Sequence, residues 1–262
     1  MKNNCRRNSF ILGLDLGTNS LGWSLVDPKE EEIVAMGCRI FSPAVTGDID
    51  SGKEESNAAT RREARQIRRQ LWRRRRRKKK LFLLLQRSGL LPSGPSQTGE
   101  LRHQIIEKLD TNIKILLKDK GYENVDHLLP YLLRKNGVTE KLSLLELGRA
   151  LYHLGQRRGF ESNRKQQNDD QSGVVREQIA GLRLELKDSG CRTLGQYFAS
   201  LDPEKVRIRE RYTHRSMYKE EFNLIWNTQA EFYPEALTGG LREEIYHALF
   251  FQRKLKNQKY LV

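Results

Sequence analysis

From Phe10 onward the chain alternates: Phe10, Leu12, Leu14 and Leu16 fall on one face of an extended segment, with Ile11, Gly13 and Asp15 on the other. A period of two predicts a strand. GTN at 17–19 supplies turn chemistry, SLGWSLVD at 20–27 reads as a second strand returning antiparallel, and EIVAMGCRIF at 32–41 reads as a third. No clear strand pattern follows. Three antiparallel strands alone would leave sheet edges and an apolar face uncovered, so the sheet calls for completion by something else. Asp15 stands out as a carboxylate expected to be buried in an apolar run between glycines.

The pattern then changes. Between Lys53 and Ser88 there is no Gly or Pro, and Arg, Leu, Gln, Glu and Ala dominate, which predicts one long helix. Ser56 or Thr60 would cap its start, with Thr60 and Glu63 at capping-box spacing, and Gly89 followed by Pro92 would stop it. On that helix Arg61, Arg65 and Arg68 share a face, and Arg69, Arg73, Arg76 and Lys80 form a neighbouring stripe. Ala64, Ile67 and Leu71 make an apolar strip that runs into Arg74 and Lys78 before resuming at Phe82 and Leu85. The middle of the helix has no face to offer a core.

SGLLPSGPSQTG at 88–99 reads as a Pro/Gly/Ser linker, and the remainder mostly as helices separated by short polar turns. LSLLELGRALYHLGQRRGF at 142–160 sets Leu144, Leu147, Ala150, Leu151 and Leu154 at helical spacing, ending at Gly155 and a basic turn, Arg157 and Arg158. QSGVVREQ at 171–178 follows a polar stretch expected to be flexible. RERYTHRSMYKEEFNLIW at 209–226 joins a basic aromatic loop to another amphipathic helix. Tyr152, Tyr212, Tyr218 and Trp226 are expected to pack in the core or at hinges rather than to stack on bases.

Charge sharpens the picture. The 262 residues carry a formal net charge of +15, and from Arg61 to Lys80 thirteen Lys or Arg stand against one acid, Glu63, so +12 lies in twenty residues. Such a block points to a polyanionic partner, because neutralising phosphates releases condensed counter-ions. A solvated tail, a nuclear-localisation patch or a ribosomal-type RNA arm would carry the same run. Arginine dominates before Lys78, and its planar guanidinium can hold phosphate oxygens with two N–H groups and stack on bases. A folded RNA or an RNA–DNA heteroduplex can surround a helix charged on most sides as a lone DNA groove cannot. Cys5, Cys38 and Cys191 are far apart and the five histidines lack ligand spacing, which suggests neither a zinc site nor a disulfide framework. The apolar run ahead of Asp15 is too short for a signal-peptide core and no window approaches a membrane span, so a reducing cytoplasm is the expected compartment, with no membrane partner.

LDLGTNS at 14–20 resembles the first phosphate loop of actin, sugar-kinase and Hsp70-type ATPases and also the first catalytic segment of RuvC-like nucleases, both of which have the RNase H-like fold. The surrounding blocks choose between them. ILGLDLGTNSLGW, then ESNAATRREARQIRRQLWRRRRRKKKL, LSLLELGRALYHLGQRRGFESNRK, GCRTLGQYFASL, RERYTHRSMYKEEFNLIW and ALFFQRKLKNQKYLV, in this order, are similar to the N-terminal part of the type II CRISPR-associated RNA-guided endonucleases, the Cas9 family. The resemblance runs from about residue 9 to residue 262, and an ATPase has no place for the arginine helix. The small transposon-encoded relatives share the nuclease strand and that helix but largely lack the helical lobe. One local departure is RKLKNQK at 253–259, where the family more often has Pro and Ser at the positions of Lys254 and Asn257.

The resemblance implies an α+β chain: incomplete RNase H-like (RuvC) β-strands over residues 1–50, an arginine-rich bridge helix over 51–90, and part of an all-α recognition lobe over 91–262. It implies that Asp15 is the catalytic, metal-binding aspartate for Mg2+ or Mn2+, and that Arg61, Arg65, Arg68, Arg69, Arg73 and Arg76 contact guide RNA, with Arg158 and Gly159 touching the guide–target heteroduplex. The implied partners are a guide RNA (crRNA with tracrRNA) and target DNA, in a monomeric bacterial ribonucleoprotein. A two-metal site needs several converging carboxylates. The family's remaining ligands, its HNH nuclease and its PAM-reading domain are not recognised in this sequence, so the chain is expected to be a fragment or truncated frame, inactive alone. A non-catalytic RNA-binding protein with Asp15 as a remnant is the alternative reading.

Overall fold

The computed structural model describes residues 10–17, 19–42, 45–46, 55–161, 169–208 and 211–252. The chain divides into two compact units, residues 1–72 and 73–262.

The first unit holds the three expected strands, β1 (Ile11–Leu16), β2 (Ser20–Asp27) and β3 (Glu32–Ile40), in one antiparallel sheet of order β1-β2-β3. Leu14 pairs with Trp23 and Asp15 with Gly22, and a bulge at Leu25/Val26 shifts the β2–β3 register. A two-residue pair, β4 (Val45–Thr46) and β5 (Glu55–Ser56), follows. The sheet has no covering layer among the described residues of its unit. Leu12 is 58% exposed and Ile11, which points the other way, 57%, so both faces meet solvent. Asp15 is exposed with them, which corrects the expectation of a buried carboxylate: an apolar run buries a charge only when a second layer packs against it.

The long helix is α1 (Asn57–Arg87), 31 residues, about 46 Å at 1.5 Å per residue. Of the two candidate caps, Ser56 is the one used, its Oγ accepting from the Ala58 N–H at 3.3 Å, while Thr60 lies inside the helix. Arg61 through Arg76 are exposed apart from the half-buried Ala64, as a helix without an apolar face must be. Burial begins at Leu81 and Phe82 and continues with Leu84 and Leu85.

The second unit is helical: the end of α1, then α2 (Gly99–Asp119), α3 (Val125–Asn136), α4 (Leu144–Gln156), α5 (Asp169–Asp188), α6 (Leu194–Ala199), α7 (Arg215–Phe232) and α8 (Gly239–Phe250). Thr98, Ser143, Thr193 and Thr238 each accept a backbone N–H at a helix start, and Ser143 with Glu146 completes a capping box. Helix α4 lies at the centre, packing against α3, α7 and α8 with Leu147, Leu151 and Leu154 fully buried. Gly148 and Gly155, one heptad apart on α4, let neighbouring chain approach: a Cβ at Gly148 would sit 1.7 Å from the Leu90 carbonyl oxygen, and one at Gly155 2.3 Å from Leu81 Cδ2. Gly155 is therefore a packing residue within the helix rather than its stop. The stretch at 88–99 is likewise no free linker. Leu90 and Leu91 are buried, and the Gln86 amide donates to the Pro92 carbonyl at 2.8 Å.

A polar knot ties four helices. The Arg134 guanidinium on α3 donates to both oxygens of Glu221 on α7, at 2.8 and 2.5 Å, with both side chains fully buried. Glu221 also accepts the Gly195 N–H of α6 at 3.1 Å. His153 Nδ1 lies 3.3 Å from Arg134, and burial followed by the nearby arginine charges pushes the imidazole well below its usual range, so it is neutral and accepts. Truncating one partner of a pair like this costs about 3–5 kcal/mol, because the other charge stays buried. Tyr152, Tyr218 and Trp226 are buried as expected, whereas Tyr212 is exposed.

Candidate nucleic-acid interface

The second unit contains a cleft of about 370 Å³ lined by six arginines, Arg74, Arg77, Arg157, Arg158, Arg211 and Arg215, and by a single carboxylate, Glu161. Three separate stretches of sequence build it. Arg74 and Arg77 come from α1, one turn apart. Arg157 and Arg158 follow the end of α4, and Arg211 and Arg215 flank the start of α7.

The second and third stretches are locked together by a parallel bridge. The Phe160 N–H donates to the Thr213 carbonyl and the Arg215 N–H to the Phe160 carbonyl, each at 2.8 Å. Gly159 makes this turn possible. Its φ is +71°, and a Cβ there would lie 2.7 Å from the His214 carbonyl carbon. Arg158 then reaches across to α8, its NH1 donating to the Phe251 carbonyl at 2.9 Å and the Leu249 carbonyl at 3.4 Å, where a cation also complements the negative helix end.

The cluster is electrostatically strained. Burial, then Arg77 and Arg215, push the Arg158 guanidinium down to about 10, so it stays charged at neutral pH. Arg77 is lowered by burial and by Arg215 and Arg74. Arg215 is lowered by burial although Glu161 works the other way. Among the described residues, Arg77 and Arg215 each also hold a buried Nε–H with no hydrogen-bond partner. Unpaired buried donors cost about 1–3 kcal/mol each. Repelling cations with unspent donors gain most from an arriving anion, and a guanidinium fork matches a phosphate.

The expected site residues divide among different places. Arg158 and Gly159 belong to the cleft. Arg61, Arg65, Arg68, Arg69, Arg73 and Arg76 are exposed along α1, and none of them lines it. Arg77, Arg211 and Arg215 were not singled out by the sequence. The only available hint was the basic loop beside the RRGF turn, since no spacing rule links residues so far apart.

No protein-family model matches the chain. It is 27% identical to the CRISPR-associated endonuclease Cas9 of Campylobacter jejuni over 267 aligned positions, covering 96% of the chain. It is 28% identical to CRISPR-associated endonuclease Cas9 1 of Streptococcus thermophilus, covering 87%. The chain is homologous to the N-terminal region of Cas9 endonucleases. It spans about a quarter or less of the curated relatives it matches, 24% of the first and 18% of the second. The fold agrees: the crystal structure of Campylobacter jejuni Cas9 in complex with sgRNA and target DNA superposes with a TM-score of 0.57 at 24% identity, covering 97% of this chain and 31% of that one. A cryo-EM assembly of St1Cas9, sgRNA, tDNA20 and AcrIIA6 gives 0.52 at 24% identity, covering 96% and 27%.

Cas9 kinship directs attention back to Asp15 and the metal. Among the described residues no three His, Cys, Asp or Glu side chains gather as a metal site would require. Asp15 can offer one carboxylate, on an exposed strand, and one carboxylate does not hold a two-metal centre. No helix among the described residues is long and apolar enough to cross a membrane. The RKLKNQK departure lies outside the described residues, as does Cys5.

Proposed function

We propose that this chain is the guide-anchoring N-terminal portion of an RNA-guided DNA endonuclease, binding guide RNA and the guide–target heteroduplex through the arginines of α1 and the cleft. The observation that carries this reading is the cleft itself, with six guanidinium groups against one carboxylate and two buried donors unpaired. In nucleases of the Cas9 type, base pairing reads sequence while protein reads backbone shape. Arginines that hold phosphates fix position without sequence preference, which suits that division of labour. Arg61, Arg65, Arg68, Arg69, Arg73 and Arg76 serve as exposed backbone contacts, and Arg158, set by Gly159, serves in the cleft. Asp15 would supply one ligand for Mg2+ in a RuvC-like site, with no further ligands gathered beside it among the described residues.

The test is a salt titration of RNA binding by fluorescence anisotropy. If about six phosphates are neutralised, the log–log slope is near −4 for single-stranded RNA and about −5 for a duplex. A flat dependence overturns the reading.

A second reading, RNA binding without any part in cleavage, is favoured by the exposure of Asp15, beside which no other carboxylates gather among the described residues. The two separate when the purified chain is mixed with a polypeptide carrying the remaining RuvC ligands and an HNH domain. Magnesium-dependent cleavage of the DNA strand not paired to the guide, abolished by Asp15→Ala while HNH cleavage of the paired strand persists, supports the first reading, and cleavage of both strands indifferent to that change supports the second. The chain alone is expected not to cut.

A further inference from the structure

Glu161 is the one acid lining a cleft of six arginines, and its position is unusual for that reason. Its Oε2 accepts from Arg215 NH1 at 2.6 Å, and its Oε1 lies 3.5 Å from Lys219 Nζ. The same Arg215 NH1 also donates to the Gln252 side-chain oxygen, while the Gln252 amide donates to the Glu161 carbonyl at 3.2 Å. Arg215 is thus held from one side by a carboxylate whose own backbone is fixed by the Phe160 bridge. The Glu161 side chain remains 35% exposed, against 5% for Arg215, so the carboxylate is the partner that solvent reaches and the guanidinium the buried one.

Resting on the reading that the cleft takes an RNA backbone, we propose that Glu161 is an internal counter-ion standing where a ligand phosphate belongs on Arg215, and that RNA binding exchanges this carboxylate for a phosphate. The carboxylate meets Arg215 through Oε2 alone, as one phosphate oxygen would, with Oε1 turned toward Lys219. In the ligand-free protein Glu161 offsets part of the charge crowding at Arg158 and Arg215. On binding, it opposes the incoming charge and must swing toward solvent. Glu161 therefore sets how tightly, and with what salt sensitivity, this part of the backbone is held.

The experiment measures binding of a fluorescein-labelled single-stranded RNA of mixed sequence to the whole chain. Glu161→Gln keeps the shape and one acceptor but removes the charge. It is expected to tighten binding about three- to ten-fold at low salt and to steepen the log–log salt slope by about 0.7, one additional phosphate being neutralised. Glu161→Asp, which keeps the charge, is expected to retain the original slope. In an Arg215→Ala background the tightening by Glu161→Gln should shrink and the extra salt slope of about 0.7 should vanish, since the exchange needs that guanidinium and only the general relief of like charge remains. If Arg215→Ala does not fold in a thermal melt, Arg158→Gln serves as the cleft control.

The outcomes separate the two levels of argument. Weakened binding by the arginine variants with tightening by Glu161→Gln supports both. Weakened binding by the arginine variants with no change, or a loss, for Glu161→Gln means that Glu161 merely positions Arg215 and overturns the counter-ion. No response to the arginine variants overturns the cleft as the RNA site.

Discussion

Arg65 and Arg69 stand exposed on the first half of α1, while Arg77, Arg158 and Arg215 converge, half-buried or buried, on a cleft built from three distant stretches. The first group is dense in sequence and dispersed in solvent. The second is sparse in sequence and crowded in space, and there burial depresses the guanidinium groups of Arg77, Arg158 and Arg215, with repulsion from neighbouring arginines adding to it at Arg77 and Arg158. A charge in water interacts with phosphate through a high dielectric and is screened by salt, whereas a desolvated one acts at closer to full strength. The density of a basic run therefore measures how many phosphates can be met, and convergence measures how firmly any one is held.

Breaking the cleft should produce the larger effect. Arg77→Ala combined with Arg158→Ala is expected to weaken RNA binding about 100-fold, since two charge-assisted contacts at about 1.5 kcal/mol or more each are lost. A thermal melt checks that the loss of the Arg158 bonds to the Leu249 and Phe251 carbonyls has not unfolded the protein. A decrease no greater than that of two exposed arginines would erase the distinction drawn above.

Arg65→Ala and Arg69→Ala come next. Each removes one screened contact and is expected to weaken binding about two- to five-fold, with the salt slope reduced by about 0.7 per residue for single-stranded RNA. The loss should be the same for RNAs of unrelated sequence, because backbone contacts carry no base information. Their thermal stability should not move. An effect that depended on RNA sequence would mean that α1 reads bases as well.

These differences also explain what was legible in the chain. Strands β1 to β3 and helix α1 follow local rules, alternation in one case and an uninterrupted run of helix formers in the other, and both appear where those rules put them. Helix α4 is similarly legible from Leu147, Leu151 and Leu154. Local rules do not reveal what packs on what. Asp15 lies in an apolar run, yet no second layer covers its sheet among the described residues of its unit, and Leu90 and Leu91 lie in a Pro/Gly/Ser stretch yet are buried, Leu90 against Gly148 of α4. Half of the cleft was visible for the same reason. Arg158 and Gly159 sit in a recognisable turn, whereas Arg215 joins them only because Phe160 bridges to Thr213 and Arg215.

The smallest effect concerns Lys78, beside the cleft on α1, and it tests whether crowding of charge extends beyond the lining residues. Burial, then Arg74, Arg77 and Arg157, lower its ammonium below the ordinary 10.5. Below the folded value the group is charged in both states, and the folded state bears the cost of the crowding. Between the folded value and 10.5 the unfolded chain binds more protons, so stability rises with pH across that window. The difference in melting temperature between the native chain and Lys78→Met should accordingly shift in favour of the native chain as pH climbs toward 10.5. Sulfate should move that shift to higher pH, because an anion in the cluster favours the protonated form. A difference that stays flat with pH would confine the strain to the buried guanidinium groups and leave Lys78 with the solvated arginines of the first half of α1.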